Sequence, residues 1–269
     1  MHVRKKTLAA LLVTAGVALQ PGAPAQAAGD TTPPTLNTPA EVGFVVGSQL
    51  DAYSGDYSQM KQLVTWSGSD AGSGICSYDL DRTAADSGED RNLVSGTQAT
   101  SFVATANDYD GAEGGGSTVM TGYRLRGHDC AGNTSARTFG SRPSVFQEDG
   151  TSRDYTLEPA LTYAGAWTGS SCTCFSGGKA RYTTQKGASA TFTADFAPGS
   201  HVAVVMVRKA DRGAVEVRVD GRKATTVNLD RGGAGNRIVA FDRKVGGGSH
   251  SVTIVDLRGK VDLDAVLVS

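Results

Sequence analysis

Apolar residues recur at alternate positions through most of the chain, in short runs broken by glycine, aspartate and asparagine. Within 121–127, Tyr123 and Leu125 share one face while Arg124 and Arg126 take the other, the period of a half-buried strand. Runs of this kind predict strands at 42–46, 63–66, 75–80, 101–105, 119–126 and 144–146. A second series follows at 180–182, 190–193, 201–208, 214–219, 224–229, 238–241, 250–257 and 261–268. Val215-Glu216-Val217-Arg218-Val219 runs into Asp220-Gly221, and the pattern resumes at Arg222. Asp-Gly between two strands predicts a hairpin, because both central residues of a type I′ turn need positive φ. The 35 glycines among 269 residues fit a chain of tight turns; within a helix each would cost about 1 kcal/mol. The expected class is all-β.

The first 27 residues depart from the pattern. Arg4, Lys5 and Lys6 precede an apolar run from Leu8 to Leu19, and Ala25-Gln26-Ala27 supplies a small-residue cleavage site. The run falls short of the roughly 20 residues that span a bilayer. A cleaved signal at 1–27 is expected, giving a secreted, extracellular product with no membrane insertion, in an oxidising compartment.

Charge sharpens the division. Totals of 26 Lys+Arg and 27 Asp+Glu leave no basic excess, which argues against nucleic acid as a partner. Residues 28–150 hold 16 acids and 7 bases, whereas residues 151–269 hold 11 acids and 16 bases. Opposite imbalances predict two units with different surfaces. The polar stretch Gln147-Glu148-Asp149-Gly150-Thr151-Ser152 marks the joint, so the units are placed at 28–147 and 155–269, with a linker at 148–154. About eight antiparallel strands in the second unit predict a jelly roll.

Two resemblances refine this. Trp66-Ser67-Gly68-Ser69-Asp70, Gly74-Ile75-Cys76-Ser77-Tyr78, Tyr123-Arg124-Leu125-Arg126 and Asp129-Cys130-Ala131-Gly132-Asn133 resemble the Ig-like and fibronectin type III domains of secreted actinobacterial proteins. That resemblance implies a β-sandwich in which Trp66 is a core residue and the D-x-A-G-N run turns the chain after the sixth strand. Tyr163-Ala164-Gly165-Ala166-Trp167, Cys172-Thr173-Cys174-Phe175-Ser176-Gly177-Gly178, Val217-Arg218-Val219-Asp220-Gly221 and Val261-Asp262-Leu263-Asp264-Ala265-Val266 are similar to galactose-binding-like modules. These are relatives in shape of carbohydrate-binding modules. The implied architecture is an N-terminal Ig/fibronectin III-like sandwich followed by a C-terminal jelly-roll sandwich.

All four cysteines lie beyond the signal, so disulfides are expected. The domain division favours Cys76–Cys130 with Cys172–Cys174, because the third and sixth strands of an Ig-like sandwich are antiparallel neighbours. Parity opposes the first pair: Cys130 falls with the outward Arg124 and Arg126, Cys76 with the inward Tyr78 and Leu80. A bulge at either strand end would reconcile them. In an extended strand the Cα atoms of Cys172 and Cys174 would stand about 6.5–7 Å apart, at the limit for a bridge. A bent loop stapled by the pair is favoured over a redox couple or half of a metal site.

Catalytic signatures are few. The sequence holds no G-x-S-x-G, H-E-x-x-H or P-loop pattern. His128, His201 and His250 sit in turn or strand-end contexts rather than beside a nucleophile. Asp70-Ala71-Gly72-Ser73-Gly74 lacks the alternating acids of a calcium loop and is read as a turn. Asp262 and Asp264 share one parity in the last strand, but partner acids near the start of that unit are not evident. No metal, cofactor or catalytic residue is assigned. Binding is the remaining class, with polysaccharide or cell-wall glycan as the expected partner. Candidate ligand residues are Tyr163, Trp167, Phe175 and Tyr182 for stacking, with Arg181 and Arg212 as donors. A structural or protein-adhesion module is the alternative, and a small glycoside hydrolase built on a carboxylate pair comes third.

Overall fold

Strands make up nearly all of the regular secondary structure in the computed structural model, which describes residues 29–36, 41–53, 57–84, 90–109, 121–139, 144–147, 160–232 and 236–269. The expected signal at 1–27 and linker at 148–154 lie outside these residues. The first half supplies β1 (Thr35–Leu36), β2 (Glu41–Phe44), β3 (Asp51–Tyr53), β4 (Tyr57–Thr65), β5 (Gly68–Ser69) and β6 (Ile75–Ala84). It continues through β7 (Asp90–Thr97), β8 (Ser101–Tyr109), β9 (Thr121–Asp129), β10 (Thr138–Phe139) and β11 (Ser144–Gln147). The second half supplies β12 (Ala160–Ala164), β13 (Thr168–Ser171), β14 (Lys179–Thr183), β15 (Ser189–Phe196) and β16 (His201–Arg208). It ends with β17 (Ala214–Val219), β18 (Arg222–Asn228), β19 (Asn236–Lys244), β20 (Gly248–Arg258) and β21 (Val261–Val268). A single 3-10 turn at Ser176–Gly178 interrupts the strands among the described residues. β1, β3, β5 and β10 escaped the sequence reading because they are only two or three residues long, and β7, β12 and β13 because polar and small residues obscure their alternation.

The first sandwich faces two antiparallel sheets. One has the order β10-β9-β6-β7. In the other, β8 pairs along the whole of β4, while β2 and β3 share the opposite edge of β4 end to end. Val42, Val64, Trp66, Tyr78, Leu80, Ala104, Tyr123 and Leu125 fill the space between. The parity conflict at the cysteines is resolved as anticipated. The β6–β9 register slips between Ile75 and Ser77, so Cys76 is the extra residue of a bulge, 4.9 Å in Cα separation from Cys130. Asp129 accepts bonds from the Asn133 backbone N–H and side-chain amide, each at 2.7 Å, closing the D-x-A-G-N turn.

The second sandwich is a jelly roll with one sheet ordered β13-β14-β21-β16-β19 and the other β12-β15-β20-β17-β18. Asp220 (φ 50°) and Gly221 (φ 73°) form the β17–β18 turn, as the Asp-Gly pair predicts. One strand is placed differently from the sequence reading. β11, expected as the last strand of the first sandwich, pairs with β21, Ser144 opposite Val268 through Gln147 opposite Ala265. It extends the sheet edge that β14 occupies farther along β21. Short strands carry no label of the sheet they join, and the free length of β21 decides.

β16 throughout, and β21 from Ala265 onward, read as nearly unbroken apolar runs because both of their faces are covered there. Val202, Val204 and Met206 point into the jelly-roll core, and the alternate Ala203 and Val205 point outward. In β21 the register slips between Leu263 and Ala265. Asp264 is therefore the extra residue, after which Val266 and Val268 face the core while Ala265 and Leu267 turn out. That outer face is not left to water. Phe44, Leu50 and Met60 of the first sandwich pack on Ala203, Val205, Val239, Ala265 and Leu267 in a third apolar cluster. Phe44 and Met60 follow Val42 and Val64 at strand-face spacing, so one apolar face serves the first sandwich's core and then the joint.

Polar contacts complete the joint. Residues 47–50 add to the edge of β19 through Gly47 N–H to Val239 O at 2.8 Å, Val239 N–H to Ser48 O at 3.0 Å and Leu50 N–H to Arg237 O at 2.9 Å. His201 bonds Asp242 at 3.0 Å, with β2 passing so near that a Cβ at Gly43 would stand 2.9 Å from the imidazole. Two sandwiches packed independently were expected; the chain instead joins them through a buried interface. Phe44→Ala should cost about 3–5 kcal/mol, the usual range for emptying a buried Phe site. Calorimetry should then resolve two unfolding transitions where the parent chain shows one.

Candidate functional site

Three of the six predicted ligand residues meet at one edge of the jelly roll. Tyr163 lies on β12 and Arg181 on β14, in opposing sheets, and the Arg181 guanidinium carbon stands 4.7 Å from the centre of the Tyr163 ring. Trp167, in the turn between β12 and β13, lies 5.2 Å from Tyr163 with the rings tilted by 59°. The indole N–H donates to Ala164 O at 3.3 Å, and Ala166 N–H donates to Gln185 Oε1 at 2.7 Å, which together fix that turn. Tyr163 and Trp167 rest against the main core, and all three side chains are half-buried.

The other three stand elsewhere. Neighbouring positions on a strand face opposite ways, so Tyr182 projects from the outer face of its sheet, where Lys260 Nζ sits 4.0 Å over the ring. Arg212 joins it there, gripped by Asp262 (Nε to Oδ2, 2.6 Å) and Asp211 (2.6 Å). Phe175 opens the 3-10 turn. The predicted set therefore divides into the cluster of Tyr163, Trp167 and Arg181 at the edge, Tyr182 and Arg212 on the outer face, and Phe175 apart from both in the 172–178 loop.

That outer face buries charge the sequence did not foretell. Asp264 is fully buried and Arg237 nearly so; Arg237 Nη1 donates to Asp264 Oδ2 at 3.3 Å and to Ser176 Oγ at 3.0 Å. Ser176 N–H caps Asp264 Oδ1 at 2.9 Å. Burial pushes the Asp264 carboxyl up to about 6, against the pull of Arg237. Asp262 is likewise raised by burial, with Arg212 and Lys260 opposing. The last-strand aspartates are thus held by cations of the chain itself. Asp256 is buried too, and burial raises its pKa.

Carboxylates gather at one further place. Asp30, Asp70 and Asp129 each bring an oxygen within 4.8 Å of the others, the donor chemistry of a hard cation such as calcium. The turn reading of 70–74 holds, since Asp70 Oδ2 accepts from Gly72 N–H (3.0 Å) and Gly74 N–H (2.7 Å). Sequence reading missed that Asp30, before β1, and Asp129, at the end of β9, meet Asp70. Asp30 is clamped by the N–H groups of Thr32 and Ser73, which hold its carboxyl below the usual range. A Cβ at Gly72 would come 2.3 Å from Asp30 Oδ2, so a side chain there would displace the Asp30 carboxylate. The three described histidines each bond an aspartate: His128 with Asp79, His201 with Asp242 and His250 with Asp220.

No family model matches the chain, and no curated protein matches it. Similar solved structures include the CBM36-1 domain of a multidomain xylanase from the hindgut metagenome of Trinervitermes trinervoides. It is 12% identical with a TM-score of 0.35, over 47% of this chain and 96% of that one. The family 35 carbohydrate binding module from Clostridium thermocellum is 12% identical with a TM-score of 0.33, over 46% and 97%. The Podospora anserina GH26-CBM35 β-(1,4)-mannanase is 16% identical with a TM-score of 0.35, over 47% of this chain but only 27% of its own. Likeness at this level carries no functional weight, so the site stands on its own residues.

A cleft of about 720 Å³ runs between the β18 and β19 edges, past Val46, Thr226, Asn228 and Arg243. None of the predicted ligand residues lines it. Its one aromatic, Phe241, is buried, so no ring face is presented there.

Asp264→Ala should destabilise the fold by about 3–5 kcal/mol, because it strands the Arg237 charge. The pH dependence has a defined sign. A carboxyl whose folded pKa lies above its unfolded value binds protons more tightly when folded, so stability falls as pH rises from about 4 to about 6. Urea melts across that window should show this decline in the parent relative to Asp264→Asn.

Proposed function

We propose that the chain is a secreted, non-catalytic protein that attaches to an extracellular polysaccharide through its C-terminal sandwich, with the N-terminal, Ig/fibronectin III-like sandwich as spacer. The observation that carries this reading is the cluster of Tyr163, Trp167 and Arg181. The apolar face of a pyranose ring stacks on an aromatic side chain, and a guanidinium fork donates to hydroxyl or carboxylate oxygens in a fixed plane. Here both elements are supplied within one rim and anchored by the core beneath. The charged residues of the outer face are engaged with one another, which assigns Arg212 a packing role and leaves Arg181 as the donor. Asp262 and Asp264, each held by a guanidinium, are structural on this reading and not an acid–base pair.

A second reading, protein adhesion, draws on Leu63 and Val103. They are 39% and 51% exposed and lie directly opposite one another on β4 and β8. The two readings separate on a panel of xylan, mannan, galactan and polygalacturonate presented to the full chain. Retention of one polymer, reduced at least tenfold by Trp167→Ala and by Arg181→Ala with the circular dichroism unchanged, is the expected result. Retention of none, or unchanged retention in both variants, removes the site. No reducing ends should accumulate during the incubation.

A further inference from the structure

The loop joining β13 to β14 carries a disulfide between Cys172 and Cys174, two residues apart, with a Cα separation of 5.0 Å. Both cysteines are exposed, whereas Cys76 and Cys130 are partly buried. From this loop the chain turns inward at once. Phe175 N–H bonds Cys172 O at 3.0 Å, and Ser176, 2% exposed, caps Asp264 and accepts from Arg237. A solvent-facing disulfide therefore fixes the segment that seals a buried ion pair.

We propose that Cys172–Cys174 is a redox-active bond, opened by external dithiols in the folded protein, and that its opening releases the loop from Asp264 and Arg237. Exposed disulfides are the labile members of a protein's set, and exchange requires access of a thiolate to sulfur. The geometry also selects the sulfur attacked. Cys174 N–H donates to Cys172 Sγ at 3.1 Å, which stabilises negative charge there and makes Cys172 the leaving group. A dithiol thiolate attacks Cys174 Sγ, the S–S bond breaks, and Cys172 departs as a thiolate that takes up a proton. The second thiol then attacks the mixed disulfide, expelling the Cys174 thiolate, which is protonated in turn. The protein disulfide gains two electrons and two protons, and the dithiol is oxidised to its own disulfide. The bridge of sequence separation 54 closes a long loop of the first sandwich and stays intact. Nothing in this step depends on glycan binding.

The test is reduction of the full chain by dithiothreitol in native buffer, with timed alkylation and peptide mass spectrometry. Cys172 and Cys174 should label at least tenfold faster than Cys76 and Cys130. In the reduced protein the Ser176 amide should exchange with deuterium at least tenfold faster, and a doubly substituted Cys172→Ser, Cys174→Ser chain should reproduce that rate without any reductant. Labelling of all four cysteines at one common rate would overturn the assignment. Selective labelling with an unchanged Ser176 amide would overturn the coupling to the ion pair.

Discussion

The structure depends on covering both faces of the sheet that contains β16 and β21. One face closes the jelly roll; the other, lined by Ala203, Val205, Val239, Ala265 and Leu267, would be an apolar patch in water. The first sandwich supplies that cover from a strand face that has already contributed to its own core. Small residues on the jelly-roll side let Phe44 and Met60 approach closely, and burying side chains of that size is favourable by about 1.5–3 kcal/mol each. Because residues 47–50 also pair with the β19 edge, the joint combines apolar burial with backbone hydrogen bonds and caps a strand edge that would otherwise invite pairing.

The same sheet explains where its charges lie. The extra residue in β21 that turns Ala265 and Leu267 toward the joint is Asp264 itself. A bulge leaves one residue out of the ladder, and here that residue is a fully buried acid. It needs a counter-charge and a lid, which Arg237 and the 172–178 loop provide. Asp262, two positions earlier, solves the same problem with Arg212. One strand thus passes from an ionic outer face to an apolar one at its bulge, and the boundary matches the footprint of the neighbouring sandwich.

Legibility in the sequence follows from how local each signal is. The all-β class, the Asp220-Gly221 hairpin, the shared face of Tyr123 and Leu125 and the need for a bulge at one of the two cysteine-bearing strand ends are all written in neighbouring residues, and the structure agrees with each. The core role of Trp66, implied by the resemblance, agrees as well. The continuous apolar run of β16 was also visible in the sequence. It reports burial on both faces, but not which element covers the second. The placement of β11, the joint at Phe44 and the meeting of Asp30 with Asp70 and Asp129 depend on contacts between distant segments, and no short window encodes them. The candidate site lay between these cases. Tyr163 and Trp167 are four residues apart and stayed together, whereas Arg181 and Tyr182 are adjacent and separated, because strand alternation sends neighbours to opposite faces.

That alternation also sets what the molecule presents outward. In the sheet order β13-β14-β21-β16-β19, Arg181 lies one strand in from the β13 edge, and the first sandwich pairs at the β19 edge. From β14 to β19 is three strand steps, about 14 Å at the usual strand spacing. The cluster of Tyr163, Trp167 and Arg181 therefore stands away from the β19 edge where residues 47–50 pair, while the first sandwich packs across the sheet as far as Ala265 and Leu267 of β21. A packed joint restricts the swing that an unstructured tether would allow. Holding one sandwich firmly against the other follows here from burying the second face of a single sheet.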